Sequence, residues 1–98
     1  MKSLEIIHLR SPGEQAENLV SLIKESMGNE IDHEREVTVY RSEGVPCDLA
    51  VHIRHERVTG RDGRSGLGLR LAASLRAYGL VKHTVWRELE RVSKVTYF

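Results

Sequence analysis

Four segments of the chain alternate apolar and polar residues with the period of two that is typical of β-strands. We predict strands over residues 4–9, 37–40, 49–55 and 80–89. A turn over residues 43–46 joins the second strand to the third as a hairpin. Residues 56–68 are rich in Gly and Arg, and we predict that they form the longest loop.

Two other segments repeat their apolar residues at helical spacing. We predict that Ser11 is the N-cap of the first helix, with Glu14 completing a capping box, and that Gly28 ends this helix. The second helix should begin at Leu67 and be terminated by Gly79. The apolar stripes are Ala16, Leu19, Val20, Ile23 and Met27 in the first helix and Leu67, Leu71, Leu75 and Tyr78 in the second.

The predicted order is β-α-β-β-α-β, which is the sequence signature of the ferredoxin-like sandwich, an α+β fold. Right-handed crossovers predict a four-stranded antiparallel sheet in the strand order four, one, three, two, with both helices on one face. The other face would be left uncovered, and it must meet water or a partner. Because 98 residues is the size of one domain, we expect residues 1–98 to be a single ferredoxin-like domain with residues 91–98 as a C-terminal extension.

The composition is that of a globular protein, because 40% of the residues are hydrophobic and 30% are charged. Glu5 interrupts the only apolar stretch near the N-terminus, and no apolar run approaches the roughly 20 residues that a bilayer span requires. We therefore expect no signal peptide and a cytoplasmic location. The single cysteine, Cys47, excludes an intramolecular disulfide and a Cys-rich zinc site, and it should be a buried hydrophobe.

The net charge of +1 conceals an asymmetry between the two halves of the chain. Residues 1–49 carry five Lys or Arg against ten Asp or Glu, and residues 50–98 carry ten against four. A basic half can mark a nucleic-acid surface, but no Lys or Arg run exceeds one residue, so we favour mutual neutralisation within one domain. The predicted central strands also lack the aromatic platforms that RNA recognition by a sheet requires, so we expect no nucleic-acid partner.

The two faces of the predicted sheet differ in character. The helix-facing set should be purely apolar and comprises Ile7, Leu9, Val37, Val39, Leu49, Val51, Ile53, Val81 and Val85. The uncovered set comprises Leu4, Ile6, His8, Thr38, Tyr40, Ala50, His52, Arg54, Lys82, Thr84 and Trp86. Such a mixture of apolar, aromatic and basic groups is typical of ligand pockets and of interfaces. Within it, we expect His8 to pair with His52 across neighbouring strands.

The element order, the uncovered face and the run of residues 71–81 leading into a strand with Trp86 resemble a known group. This group is the dimeric α+β barrel branch of ferredoxin-like proteins, which includes antibiotic-biosynthesis-type monooxygenases and stress-responsive barrel proteins. The resemblance covers residues 4–89 and implies that two sheets pack through their open faces into a barrel. In some members the barrel binds or oxidises small aromatic molecules or binds haem. No catalytic motif of the group is recognisable here, so no functional residue is carried over.

Our leading interpretation is a homodimer that encloses a small organic ligand, acidic or aromatic, without a cofactor. The predicted ligand-binding residues are His8, Tyr40, His52, Arg54 and Trp86. Arg54 would hold an acidic group, Tyr40 and the histidines would orient polar atoms, and Trp86 would supply an apolar wall. Whether a reaction follows, such as a cofactor-free oxygenation, stays open at this point. The alternative is a non-enzymatic interaction or oligomerisation module.

A metal site is not expected, although His52 and His55 form an H-x-x-H pattern. Residues three apart on a strand point to opposite faces, so these two side chains cannot share an ion without a bulge.

The Gly- and Arg-rich loop places Arg61 and Arg64 just before a helix N-terminus, where anions bind. The loop matches neither the P-loop nor the dinucleotide fingerprint. The favoured interpretation is a mobile surface loop, and anion binding through Arg61 and Arg64 is a second hypothesis.

The C-terminal extension ends in β-favouring apolar and aromatic residues, among them Val95, Tyr97 and Phe98. A solvated tail is normally small and polar. We therefore expect residues 92–98 to be ordered by contact with a second subunit, with an extra strand pairing at a sheet edge.

Overall fold

The structure, a computed structural model, describes residues 2–13, 16–27, 35–45, 47–56 and 62–93. Its elements are, in order, β1 (Ser3–Arg10), α1 (Ala16–Met27), β2 (Arg35–Arg41), β3 (Asp48–His55), α2 (Gly66–Leu75) and β4 (Leu80–Arg87). The six predicted elements are all present, and the type and order of each are confirmed.

The four strands form one antiparallel sheet in the order β2-β3-β1-β4, which confirms the predicted topology. The central strands β1 and β3 pair along their length, with Ile7 opposite Val51. On the other side of β1, Ile7 lies opposite His83 of β4. Because successive side chains of a strand point to opposite faces, this register assigns the odd-numbered strand residues to the helix side and the even-numbered ones to the open face.

The core lies between the helix side of the sheet and the two helices. Leu19 and Ile23 of α1 and the Leu67, Leu71 and Leu75 stripe of α2 are buried, as the helical spacing predicts. They pack with the central strand residues Ile7, Leu9, Leu49, Val51 and Ile53. At the margin, Val37, Val39 and Val81 are only partly buried, because they belong to the edge strands. Neither α1 nor α2 is long and apolar enough to cross a membrane.

The predicted start of the first helix is wrong. Pro12 and Gly13 form a bend, and α1 begins at Ala16, so Ser11 is not its N-cap. Ser11 is buried instead, and its backbone N–H donates to the carbonyl of Cys47 at 3.4 Å. The bond ties the end of β1 to the start of β3, and this tertiary contact overrides the local capping pattern. Gly28, the predicted end of the helix, lies outside the described residues.

The second helix ends at Leu75, four residues before the predicted terminator Gly79. A tight turn follows, in which the N–H of Tyr78 donates to the carbonyl of Leu75 at 2.9 Å. Gly79 does not have a positive φ angle. It is needed for a different reason, because a Cβ at this position would collide with the carbonyl oxygen of Arg10. The glycine thus allows β4 to begin close against the end of β1.

The helix side of the sheet is not purely apolar, and this prediction is also wrong. Glu5 and His55 are buried there among the apolar residues, and the side chain of His83 is 5% exposed. The reason is that the N-cap of α2, Ser65, lies beside them and donates two hydrogen bonds to the buried charge of Glu5.

Candidate functional site

The open face consists of the even-numbered residues of all four strands. The eleven residues predicted for it share this face, and the register adds Arg10, Glu36, Asp48 and Leu80. The five predicted ligand-binding residues all lie on it, but the strand pairing spreads them over three successive rows: Arg54 with Trp86, then His52, then Tyr40 with His8.

At one end, Arg54 and Trp86 flank Leu4, which is opposite Arg54 on one side and opposite Trp86 on the other. A cavity of about 710 Å³ opens here and continues around the end of the sheet to Ser3 and His55 on the helix side. We call it the end cavity. Its remaining lining residues are all charged, and they are Lys2, Arg35, Glu36, Glu56, Arg87, Glu88 and Arg91.

In the centre, the rings of Tyr40 and His52 pack with their centroids 4.7 Å apart and their planes tilted by 58°. Nδ1 of His52 is buried and has no hydrogen-bond partner in the described part of the chain. Burial of the ring, and secondarily the positive charge of Arg54, lower the pKa of His52. His52 is therefore a neutral imidazole at neutral pH.

At the opposite end, His8 contacts Asp48 rather than His52. Nε2 of His8 lies 3.1 Å from Oδ2 of Asp48, and Nε of Arg10 donates to the same oxygen at 3.3 Å. The predicted cross-strand pairing of the two histidines is wrong, because His8 is opposite Ala50 while His52 is opposite Ile6. The other carboxylate oxygen of Asp48, Oδ1, is buried and without a hydrogen-bond partner among the described residues.

A second polar group lies on the helix side of the sheet and was missed from the sequence. We call Glu5, His55, Ser65 and His83 the Glu5 cluster. Glu5 is fully buried, and its Oε1 accepts from the backbone N–H of Ser65 at 3.0 Å and from Nε2 of His83 at 2.9 Å. Its Oε2 accepts from Oγ of Ser65 and from Nε2 of His55, both at 2.5 Å. Four donors from three residues thus converge on one carboxylate.

The cluster keeps Glu5 ionised. Burial alone would raise the pKa of Glu5, but the hydrogen bonds from Ser65, His55 and His83 together outweigh it and hold the pKa below its ordinary value. The sequence did contain a signal for this cluster. Glu5, His55 and His83 all fall at helix-facing positions of the predicted strands, and an acidic residue at an inward position requires buried partners.

The N-terminus of α2 already holds an internal anion. Oγ of Ser65 caps the helix by accepting from the N–H of Gly68 at 2.9 Å, while the N–H of Ser65 donates to Glu5. Arg64 is close by, with Nη2 donating to the carbonyl of His83 at 3.3 Å. Arg61 lies outside the described residues. Binding of an external anion by Arg61 and Arg64 therefore stays a prediction. The backbone N–H groups of Ser65 and Gly68 do not support it, because both are already hydrogen-bonded within the protein.

Three smaller expectations concern the cysteine, metal ions and the tail. Cys47 is half-buried rather than fully buried. Within the described ranges, no group of three or more His, Cys, Asp or Glu side chains is placed to hold a metal ion. Leu89 and Val92 are 96% and 92% exposed, and residues 94–98 lie outside the described part of the chain.

The fold is shared with several solved structures. One is Rv0793 from Mycobacterium tuberculosis, with a TM-score of 0.65 and 17% identity over 95% of this chain and 100% of that one. A second is SnoaB, a cofactor-independent oxygenase from Streptomyces nogalater, with a TM-score of 0.62 and 13% identity over 95% and 98% of the two chains. A third is a candidate antibiotic biosynthesis monooxygenase from Chloroflexus aurantiacus, with a TM-score of 0.60 and 10% identity over the same shares.

No family model matches the chain, and no curated protein matches it. The structural similarity covers nearly the whole length of each of these three proteins, and it identifies the fold. The chain has the ferredoxin-like α+β fold of the antibiotic biosynthesis monooxygenase-like proteins. The resemblance noted from the sequence is confirmed at this level.

Proposed function

We propose that this protein is a cytoplasmic homodimer that binds a small organic molecule, acidic or aromatic, at the end cavity. The observation that carries the proposal is the combination of Arg54, Leu4 and Trp86 at the mouth of a cavity of about 710 Å³. A cavity of this size fits a small organic ligand, and a few polar groups on an apolar wall are typical of such sites.

Charge and exposure both favour an acidic aromatic ligand. The cavity is lined by Lys2, Arg35, Arg54, Arg87 and Arg91 against three glutamates, and one of these, Glu88, is already paired with Arg91 at 3.5 Å. Arginine holds a carboxylate through two parallel hydrogen bonds. Trp86 is 59% exposed, so an aromatic ring can pack against its face.

A second copy of the chain is proposed to cover the rest of the open face. Tyr40 and Leu80 are 45% and 76% exposed there. A partner subunit would remove these apolar surfaces from water, which favours association. In this proposal residues 1–98 form one domain, and the extension over residues 91–98 packs on the partner.

Oxygenation of the bound ligand by O₂ is the proposed reaction, supported by the shared fold with a protein described as a cofactor-independent oxygenase. Without a cofactor, the ligand itself must be the reductant and O₂ the oxidant. One oxygen atom of O₂ becomes a carbonyl on the ring and the other leaves as water, while the phenolic ring gives up four electrons and becomes a quinone. An electron-rich aromatic ring meets this demand once a hydroxyl group on it has lost its proton.

The test is a titration of the intrinsic fluorescence of Trp86, the only tryptophan, with 4-hydroxybenzoate. We expect a saturable change, and Arg54→Gln should weaken binding by about tenfold or more, since a hydrogen bond to a charged group contributes about 1.5–3 kcal/mol. Arg76→Gln is the matched control, because Arg76 is exposed at the end of α2. Equal affinity of the two variants would contradict the proposed site.

The alternative function, an interaction module without a ligand, is favoured by the exposed apolar side chains of Leu80, Trp86 and Tyr40 on the same face. It predicts no fluorescence response to any small aromatic acid. It also predicts that the partner's side chains fill the open face completely.

A further inference from the structure

The Glu5 cluster buries a charge at a place where apolar residues would suffice for stability. A buried carboxylate is costly unless it is fully hydrogen-bonded, and replacing buried charged groups by well-packed apolar groups is often neutral or stabilising, so stability alone does not account for such a cluster. Buried ionisable groups that are held by hydrogen bonds and border a cavity are candidates for function. The Glu5 cluster borders one, because His55 contacts Glu5 and also lines the end cavity.

The bonds to Glu5 determine which nitrogen of each histidine carries the proton. An ionised carboxylate only accepts hydrogen bonds, so Nε2 of His55 must be the donor to Oε2 of Glu5. A neutral imidazole protonated at Nε2 carries its lone pair at Nδ1. The same holds for His83, whose Nε2 donates to Oε1. Glu5 therefore orients two histidines through Nε2, and Nδ1 of each ring takes no part in these bonds.

The two histidines border different surface features. His55 lines the end cavity together with Ser3, whose Oγ is buried and has no hydrogen-bond partner among the described residues. His83 instead lines a shallower groove of about 480 Å³ with Arg64 and Thr84. The side chain of His55 is only 3% exposed, so a ligand would reach it with a small polar group rather than with a ring.

We propose that Nδ1 of His55 is a general base for a phenolic ligand in the end cavity, with Glu5 as its positioning residue. The inference rests on the proposed function, since it takes the same cavity as the binding site. The proton moves from the ligand hydroxyl to Nδ1, the O–H electron pair stays on the ligand oxygen, and the products are a phenolate and an imidazolium.

The surroundings stabilise both product charges. Nε2–H of the imidazolium stays bonded to the ionised Glu5, in the geometry by which a buried carboxylate supports a catalytic histidine. The phenolate lies in a cavity whose cations outnumber its glutamates and include Arg54.

The test uses 4-nitrophenol, whose phenolate absorbs visible light while its neutral form does not. With the 98-residue chain, we expect the bound probe to show a phenolate-to-phenol ratio about tenfold above that of the free probe at the same pH, which corresponds to one pKa unit. His55→Gln should abolish this increase while binding, followed by Trp86 fluorescence, persists. Glutamine is the chosen replacement because its amide can still donate to Glu5 but is not a base.

His83→Gln is the matched control, because it removes the other histidine from the same carboxylate and leaves the end cavity wall intact. It should keep the increase. If the probe binds and His55→Gln and His83→Gln behave alike, the base is not His55. If the probe does not bind, the proposed function fails at the cavity itself.

A second measurement needs no variant and stands even if His55→Gln does not fold. In nitrogen NMR spectra of the protein, the His55 ring should show the Nε2–H form when free and become doubly protonated on addition of 4-nitrophenol. A ring that stays neutral with the probe bound would overturn the proposal.

Discussion

The Glu5 cluster makes a strong prediction about stability, namely that Glu5→Gln destabilises the fold despite being nearly isosteric. A glutamine side chain has one acceptor oxygen, whereas Glu5 accepts four hydrogen bonds through two oxygens. The backbone N–H of Ser65 cannot change its role, so the amide oxygen must remain on that side, and the NH₂ group then faces the two donors Ser65 Oγ and His55 Nε2.

The size of the expected loss in the free energy of unfolding follows from the hydrogen bonds that Glu5→Gln removes. Hydrogen bonds to a charged group contribute roughly 1.5–3 kcal/mol each, and the amide NH₂ group would face two of the former donors, so we expect a loss of about 3 kcal/mol. The loss is large compared with a total of roughly 5–15 kcal/mol for a domain. Urea unfolding followed by Trp86 fluorescence and circular dichroism measures it directly.

The pH dependence gives a second readout of the same variant. The folded-state pKa of Glu5 is below its ordinary value, so its contribution is fully present above the unfolded-state pKa and is lost as pH falls through the folded-state pKa. The gap in the free energy of unfolding between wild type and Glu5→Gln should therefore narrow below about pH 4. Glu36→Gln on the exposed edge strand is the control. A Glu5→Gln protein as stable as Glu36→Gln at pH 7 would refute the reasoning.

Three further predictions concern a turn, the loop and the tail. Gly79→Ala should lower the free energy of unfolding by about 1–3 kcal/mol, as overpacking does, because the new Cβ would collide with the carbonyl of Arg10. Gly44→Ala is the control and should be tolerated, because the space around Gly44 is open. Equal effects of the two variants in urea unfolding would contradict this prediction. If the loop binds anions, phosphate should slow its proteolysis and the double variant Arg61→Ala with Arg64→Ala should abolish this protection; identical cleavage rates with and without phosphate would show that it does not. Truncation after Leu89 should shift sedimentation from dimer toward monomer or cause precipitation, and a truncated protein that remains dimeric and equally heat-stable would show that the tail is passive.

The sheet was predictable because its evidence is periodic and local. Alternation along residues 4–9 and 49–55 assigned each side chain to a face, and the topology followed from the element order and crossover handedness. Helix boundaries were less predictable, since they depend on contacts distant in sequence. Ser11 has the identity of an N-cap, but its N–H bonds Cys47 across the sheet.

The site was predictable only in part, because face membership does not determine distance along the strands. His8 and His52 were correctly placed on one face, yet a register offset of two residues separates them. The Glu5 cluster depends on contacts among residues 5, 55, 65 and 83, which are far apart in the sequence. No local sequence pattern predicts such contacts. The one indication in the sequence was Glu5 itself, an acidic residue at an inward position of a predicted strand.

The central claim is that the end cavity between Arg54 and Trp86 binds a small aromatic acid. A crystal structure of the protein grown with 4-hydroxybenzoate tests it most directly. The account predicts ligand density in this cavity, with the carboxylate on Arg54, the ring against Trp86 and the hydroxyl directed toward His55. A structure in which the partner's side chains fill the cavity, or in which the ligand binds only elsewhere, would contradict it.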